Sequence, residues 1–166
     1  VDRDKYVLCT FHRPSNVDDK SDLQKVTHLM IELCKLNGVV LPLHPRTRKM
    51  LLEFGMWDEL NEIENLYITE PLGYFEFQKL IKHSICVITD SGGIQEETTF
   101  RQVPCLTVRE NTERPVTITQ GTNTLVKFTN EEILPLVHQI LDGTYKKGTI
   151  PPFWDGNTTK RILELL

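Results

Sequence analysis

Thr89-Asp90-Ser91-Gly92-Gly93-Ile94-Gln95-Glu96-Glu97 is the stretch on which the reading of this chain turns. It follows Ile85-Cys86-Val87-Ile88, an apolar, β-branched run of the kind that forms a buried strand. It leads into residues 96–100, which read as a helix. A strand that passes through Ser-Gly-Gly straight into a helix builds a backbone anion site. The glycines let a ligand come close to the chain. The free N–H groups and positive dipole end of the helix then favour a phosphate. Glu97 lies one helical turn in, where a carboxylate could take the hydroxyls of a ribose. The stretch predicts a nucleoside-diphosphate pocket.

Three plainer readings compete with it. Asp90-Ser91-Gly92-Gly93 also occurs around protease nucleophiles, but those enzymes are β-barrels, and a strand-to-helix turn without G-x-S-x-G spacing is not a hydrolase elbow. A glycine-rich tight turn with no ligand is the second. The third treats Glu96 and Glu97 as first-turn carboxylates favoured by the helix dipole.

Working outward, strands alternate with helices along the whole chain. Strands are predicted at residues 6–10, 39–43, 66–69, 85–89, 104–108 and 124–126. Helices are predicted from Ser21, as cap, to about Leu36, where Asn37-Gly38 ends the turn, and at 46–54, 74–83, after Gly93, 115–120, 129–141 and 158–166. Pro135 weakens the helix at 129–141, and residues 146–155, rich in glycine and proline, read as a surface connection. The alternation predicts an α/β fold, an open Rossmann-like parallel sheet with helices on both faces. The polar residues then fall on one edge. His12-Arg13, His44-Pro45-Arg46, Ser91 and the segment from Arg109 to Arg114 all follow strands, at the carboxyl ends where such sheets bind ligands. His12 is a candidate proton-transfer or phosphate-contact residue, and Arg114 a candidate phosphate clamp. His28, His83 and His138 have no metal-like spacing.

The bulk composition narrows the class. The 166 residues fit one domain, with 39% hydrophobic and 25% charged residues. A net charge of −4 without a basic cluster argues against nucleic acid as partner. No apolar run reaches membrane-spanning length, so no membrane partner is expected. Cys9, Cys34, Cys86 and Cys105 form no C-x-x-C pair and read as buried, reduced thiols of a cytoplasmic protein. A first strand close behind Val1 reads as the start of an excised domain.

With these blocks in place the chain resembles the carboxyl-terminal domain of the non-hydrolysing UDP-N-acetylglucosamine 2-epimerases. The blocks are Thr10-Phe11-His12-Arg13, then Pro71-Leu72-Gly73-Tyr74 with Phe77. Thr89 through Glu97 is the third, and Thr112-Glu113-Arg114-Pro115 followed by Gly121-Thr122 is the fourth. The ending from Asp155-Gly156 to Arg161-Ile162 is also similar. The resemblance implies one lobe of a GT-B-like, two-lobed enzyme, with residues 1–166 as its carboxyl-terminal UDP-binding domain and the amino-terminal lobe outside this chain. It implies Phe77 beside uracil, Ser91, Gly92 and Gly93 at the diphosphate, Glu97 at the ribose and Arg114 near the phosphates. It places His12 facing the reacting sugar, and His44 near a regulatory UDP-sugar site. It implies an isomerase that interconverts UDP-N-acetylglucosamine and UDP-N-acetylmannosamine for cell-surface polysaccharide biosynthesis. That enzyme would need no metal or nicotinamide cofactor, and its full-length parent would be a homodimer. Two departures stand out. Ser15 replaces the family's usual glutamate, and Arg46-Thr47 replace its Asn-Pro, which weighs against regulatory binding. The alternatives are a GT-B glycosyltransferase lobe and a UDP-sugar binding module without turnover.

Overall fold

Residues 6–166 are described by a computed structural model. The first five residues, included in the domain on sequence grounds, lie outside the described residues. The elements run in chain order as β1 (Tyr6–Thr10), α1 (Pro14–Val17), α2 (Lys20–Leu36), β2 (Gly38–Pro42), α3 (Pro45–Glu53), α4 (Trp57–Asn61) and β3 (Leu66–Thr69). The second half continues as α5 (Tyr74–His83), β4 (Cys86–Thr89), α6 (Gly92–Arg101), β5 (Cys105–Val108), α7 (Pro115–Thr119), β6 (Asn123–Val126), α8 (Asn130–Leu141) and α9 (Thr158–Leu163).

The six strands form one sheet in the order β3-β2-β1-β4-β5-β6, and every pairing is parallel. Each strand alternates between the two faces. Val7, Cys9, Cys86 and Ile88 point to one side. There they meet Leu23, Val26, Met30 and Leu33 of α2, Leu51 of α3, Leu60 of α4, and Ile133 and Val137 of α8. Tyr6, Leu8, Val40 and Val87 point to the other side, towards Phe77, Leu80 and Ile81 of α5 and Ile94 of α6. Burial on both faces explains why the strands read as continuous apolar runs and not as alternating ones. All four cysteines are free and buried, three on strands and one on α2. Burial pushes the Cys86 thiol up to about 12 and those of Cys34 and Cys105 up to about 11.

Several local expectations need correction. The cap of α2 is Asp19, whose carboxylate accepts from the Ser21 N–H. Ser21, the expected cap, lies inside the first turn, where its hydroxyl donates back to the same Asp19 carboxylate at 2.8 Å. Asn37 ends α2 in an extended conformation, and Gly38 begins β2 in place of a left-handed cap. The helix after β4 starts two residues earlier than expected, at Gly92, because the glycines are themselves helical. The last helix stops at Leu163. The short helices α1 and α4 were not foreseen, since a single turn shows too few residues to reveal a period. Pro135 sits inside α8, which continues through it. Among the described residues no helix is long and apolar enough to cross a membrane.

Candidate nucleotide site at the switch point

β1 lies between β2 and β4, so the chain crosses over to one side after β1 and to the other after β4. Where two neighbouring strands diverge in this way, a crevice opens at their carboxyl ends. Thr10 and Thr89 are paired at that point, and their hydroxyls are 2.7 Å apart. The segments beyond them, His12-Arg13 and Asp90-Ser91, face each other across the crevice.

Asp90 is fully buried and organises the crossing. Its carboxylate accepts from the His12 backbone N–H at 3.0 Å, the Arg13 N–H at 2.9 Å and the Asn16 amide at 3.0 Å. A fourth partner is His12 Nδ1, at 2.8 Å. Burial alone would raise the pKa of Asp90. The hydrogen bonds from the His12 ring, Arg13, Asn16 and the His12 backbone more than offset it, and the group is held below the usual carboxylate range. With the folded pKa depressed, its contribution to stability is full above about pH 4 and is lost as pH falls through the folded value.

The α3 end of the crevice is tied to the same place. The Thr47 hydroxyl donates to the Phe11 carbonyl at 2.5 Å, and this brings His44 beside His12, with ring centroids 5.3 Å apart. His44 is the N-cap of α3, and its Nδ1 accepts from the Arg46 N–H at 3.1 Å. Burial first, then the neighbouring His12, lower the His44 pKa. Arg46 turns away from the crevice to a bidentate pair with Asp18.

His12, His44, Phe77 and Ser91 line one cleft of about 260 Å³, together with Phe11 and Ile94. These residues come from four separate loops and helices. Ser91 occupies the N-cap position of α6, but its hydroxyl makes no capping bond. The first N–H groups of α6 are therefore left for another acceptor. Gly92 and Gly93 have ordinary helical backbones. A Cβ on Gly93 would meet nothing within 4 Å, and one on Gly92 would come no closer than 3.6 Å to Arg109. Neither glycine is demanded by a positive φ or by the protein's own packing. Gly121 is the contrast. A Cβ there would stand 2.6 Å from the Thr117 carbonyl and would collide with Thr99, so internal packing accounts for it.

Glu97 and Arg114 lie outside this cleft. Glu97 lines an adjoining groove between α5 and α6, with Tyr74, Gln78 and Glu96. Burial raises its pKa against the opposing influence of Gln78 and Arg101. A carboxylate with a raised folded pKa weakens the fold once pH exceeds its unfolded value near 4.3, and the penalty is complete above the folded value. Glu97→Gln should therefore raise the melting temperature at pH 7 and have little effect at pH 4. A variant less stable at pH 7 would show that its hydrogen bonds outweigh its desolvation. Arg114 Nε is 3.0 Å from Glu96 Oε1, an ion pair across the start of α6.

Gln95 holds the fourth block against α6, and Arg109 ties that block to the end of β5. Gln95 is fully buried. Its Oε1 accepts from the Thr112 hydroxyl at 2.6 Å and the Asn123 amide at 3.1 Å, and its Nε2 donates to the Ser91 carbonyl at 3.2 Å. Arg109, whose side chain is 6% exposed, pairs bidentately with Glu113. The Arg109 hydrogen bond holds the Glu113 carboxyl at about 2. The structure thus brings His12, His44, Phe77 and Ser91 together, sets Glu97 and Arg114 along the flank of α6, and adds Asp90, Gln95 and Arg109.

The family model described as UDP-N-acetylglucosamine 2-epimerase matches residues 1–166. The UDP-N-acetylglucosamine 2-epimerase of Methanocaldococcus jannaschii is 39% identical over 165 residues, which cover 98% of this chain and 44% of that protein. The crystal structure of the M. jannaschii enzyme in complex with UDP-GlcNAc and UDP superposes with a TM-score of 0.85 at 38% identity, over 96% of this chain and 44% of that one. The UDP-2,3-diacetamido-2,3-dideoxy-D-glucuronate 2-epimerase of Pseudomonas aeruginosa is 35% identical over 99% of this chain and 45% of its own length. The chain spans a little under half the length of these relatives.

Proposed function

Because the chain belongs to the UDP-N-acetylglucosamine 2-epimerase family, we propose that residues 1–166 are the carboxyl-terminal, UDP-binding lobe of a two-lobed enzyme interconverting UDP-N-acetylglucosamine and UDP-N-acetylmannosamine. The observation that carries this is the meeting of His12, Phe77 and Ser91, far apart in sequence, around one cleft at the sheet's switch point. In the reaction a base removes the C2 proton while the C1–O bond breaks, and its electrons leave with UDP. The sugar is left with a C1=C2 double bond. UDP then adds back to C1 as a proton is delivered to the opposite face of C2.

This lobe's share is to hold UDP while the diphosphate gains and loses charge. The uncapped N–H groups of α6 and the guanidinium of Arg114 suit that task, since preorganised donors need no reorientation as charge develops. Diphosphate would draw Arg114 from Glu96. Phe77 would lie beside uracil, and Glu97, desolvated in its groove, would regain partners in the ribose hydroxyls. His12 would face the sugar and diphosphate. The acid–base pair for C2 would come largely from the amino-terminal lobe, which also closes the cleft against water. Family membership favours this reading over the glycosyltransferase. The P. aeruginosa relative names a different UDP-sugar, and the substrate is argued from UDP-N-acetylglucosamine in the names of the other relatives. A homodimeric parent, a cytoplasmic location and a role in cell-surface polysaccharide synthesis complete the proposal. His44 would take part in regulation only if UDP-sugar reached it past the turned-away Arg46.

The test is calorimetric titration of the domain with UDP and with uridine. Loss of the charge-assisted bonds predicts binding about tenfold or more weaker for uridine. Equal affinities would mean that the α6 N-terminus is not a phosphate site.

A further inference from the structure

We infer that Asp90 is the positioning residue of His12: it holds the imidazole by Nδ1 and presents Nε2 to the cleft. This rests on the reading that His12 acts in the reaction. The geometry has three parts. The Asp90 carboxylate is fully buried, while the His12 side chain is 38% exposed, so the pair is anchored at one end and open at the other. Asp90 is itself immobilised by the backbone N–H groups of His12 and Arg13 and by the Asn16 amide. Every one of these partners donates, so an ionised carboxylate fits the site and a protonated one does not.

Such a carboxylate can only accept. The hydrogen between it and Nδ1 must therefore belong to the ring. In the neutral ring Nε2 is left as the lone-pair nitrogen. It is the atom free to take a proton from a group in the cleft or, once charged, to return one. The proton that arrives at Nε2 creates an imidazolium whose charge is balanced by Asp90, with Nδ1–H unchanged throughout. This is how a buried acid orients a histidine and selects its tautomer. The His44 ring lies 5.3 Å from that of His12, but its own Nδ1 is taken up by the Arg46 N–H.

The same arrangement gives the Asp90-Ser91 turn two tasks. Its first residue sets the histidine, and its second opens α6 towards the cleft. The two functional groups are therefore in fixed register, because both depend on where β4 ends beside β1.

The experiment reads the tautomer directly. The chain is labelled with 15N-histidine, and long-range 15N–1H correlations are recorded where the His12 ring is neutral. The expected result is a proton on Nδ1 in the wild type. In Asp90→Asn an amide faces the same donors with a single acceptor, so an Nε2–H population should appear. In a full-length enzyme carrying this domain, Asp90→Asn should lower kcat on the order of 10²-fold. KM for the UDP-sugar should stay within about threefold, since UDP is held elsewhere. A wild-type ring protonated on Nε2 overturns the inference and needs no variant. So does an Asp90→Asn protein with unchanged tautomer and unchanged kcat. If the full-length enzyme epimerises nothing, the functional reading fails, while the tautomer still decides whether Asp90 sets the ring.

Discussion

His12→Ala in a full-length enzyme containing this domain will reduce turnover by about 10²–10⁴-fold, the range for removing a group that transfers or stabilises a proton. His12 follows β1 and lines the cleft, its side chain 38% exposed and its Nδ1 held 2.8 Å from Asp90. The stability cost will be smaller, about 1.5–3 kcal/mol for one hydrogen bond to a charged group. Asp90 keeps two backbone N–H donors and the Asn16 amide after the ring is gone, so no unpaired buried charge is created. Two measurements check this: deuterium incorporation at C2 of UDP-N-acetylglucosamine in heavy water, and the urea midpoint. On the proposed division of labour the isolated lobe should incorporate none, because the groups acting on the two faces of C2 would not both lie within it. A His12→Ala enzyme with normal turnover and a large fall in the urea midpoint would assign His12 to structure. Deuterium entering with the lobe alone would place the whole acid–base apparatus here.

Gln95→Leu will cost about 2–4 kcal/mol, the loss of three buried hydrogen bonds at roughly 0.5–1.5 kcal/mol each. At this chain length that is a fall of about 5–15 °C in melting temperature. Leucine fills similar space, so the effect will come from polar groups left unpaired more than from a cavity. The damage is partly limited because the Asn123 amide also reaches the Thr117 hydroxyl, at 3.1 Å. The functional loss should exceed what stability explains. Gln95 is the link between the Ser91 carbonyl and the Thr112 hydroxyl, and Thr112 in turn accepts from the Arg114 N–H at 2.9 Å. Release of that turn would let Arg114 drift from the start of α6, and UDP should bind several-fold more weakly even in the folded variant. Intact UDP affinity in folded Gln95→Leu would show that the turn holds its place without this network.

How much of this was readable in advance follows from the range of the forces involved. The parallel sheet was legible because runs such as Ile85-Cys86-Val87-Ile88 are apolar on both faces, and only a strand covered on both sides needs that. The common edge of His12, His44 and Ser91 was legible too, since each follows a strand and parallel strands send all their carboxyl ends one way. The family resemblance rested on the same blocks. The single-turn helices and the Asp19 cap were not, because they depend on one or two residues with no repeating pattern behind them.

What the sequence determined by itself was therefore the layering, the edge that carries the site and the residues with chemistry to offer. Tertiary structure alone decided which of those residues touch. Asp90 and His12 are 78 positions apart and meet only because β1 and β4 pair in register, Thr10 opposite Thr89. Gln95 appears in the sequence as one more polar residue of a helix, and only the approach of Thr112 and Asn123 shows it to be buried and hydrogen-bonded at both ends of its amide. Local patterning reports what a segment can bury. A hydrogen bond between distant segments depends on an ångström-scale position that the packing of the whole sheet supplies.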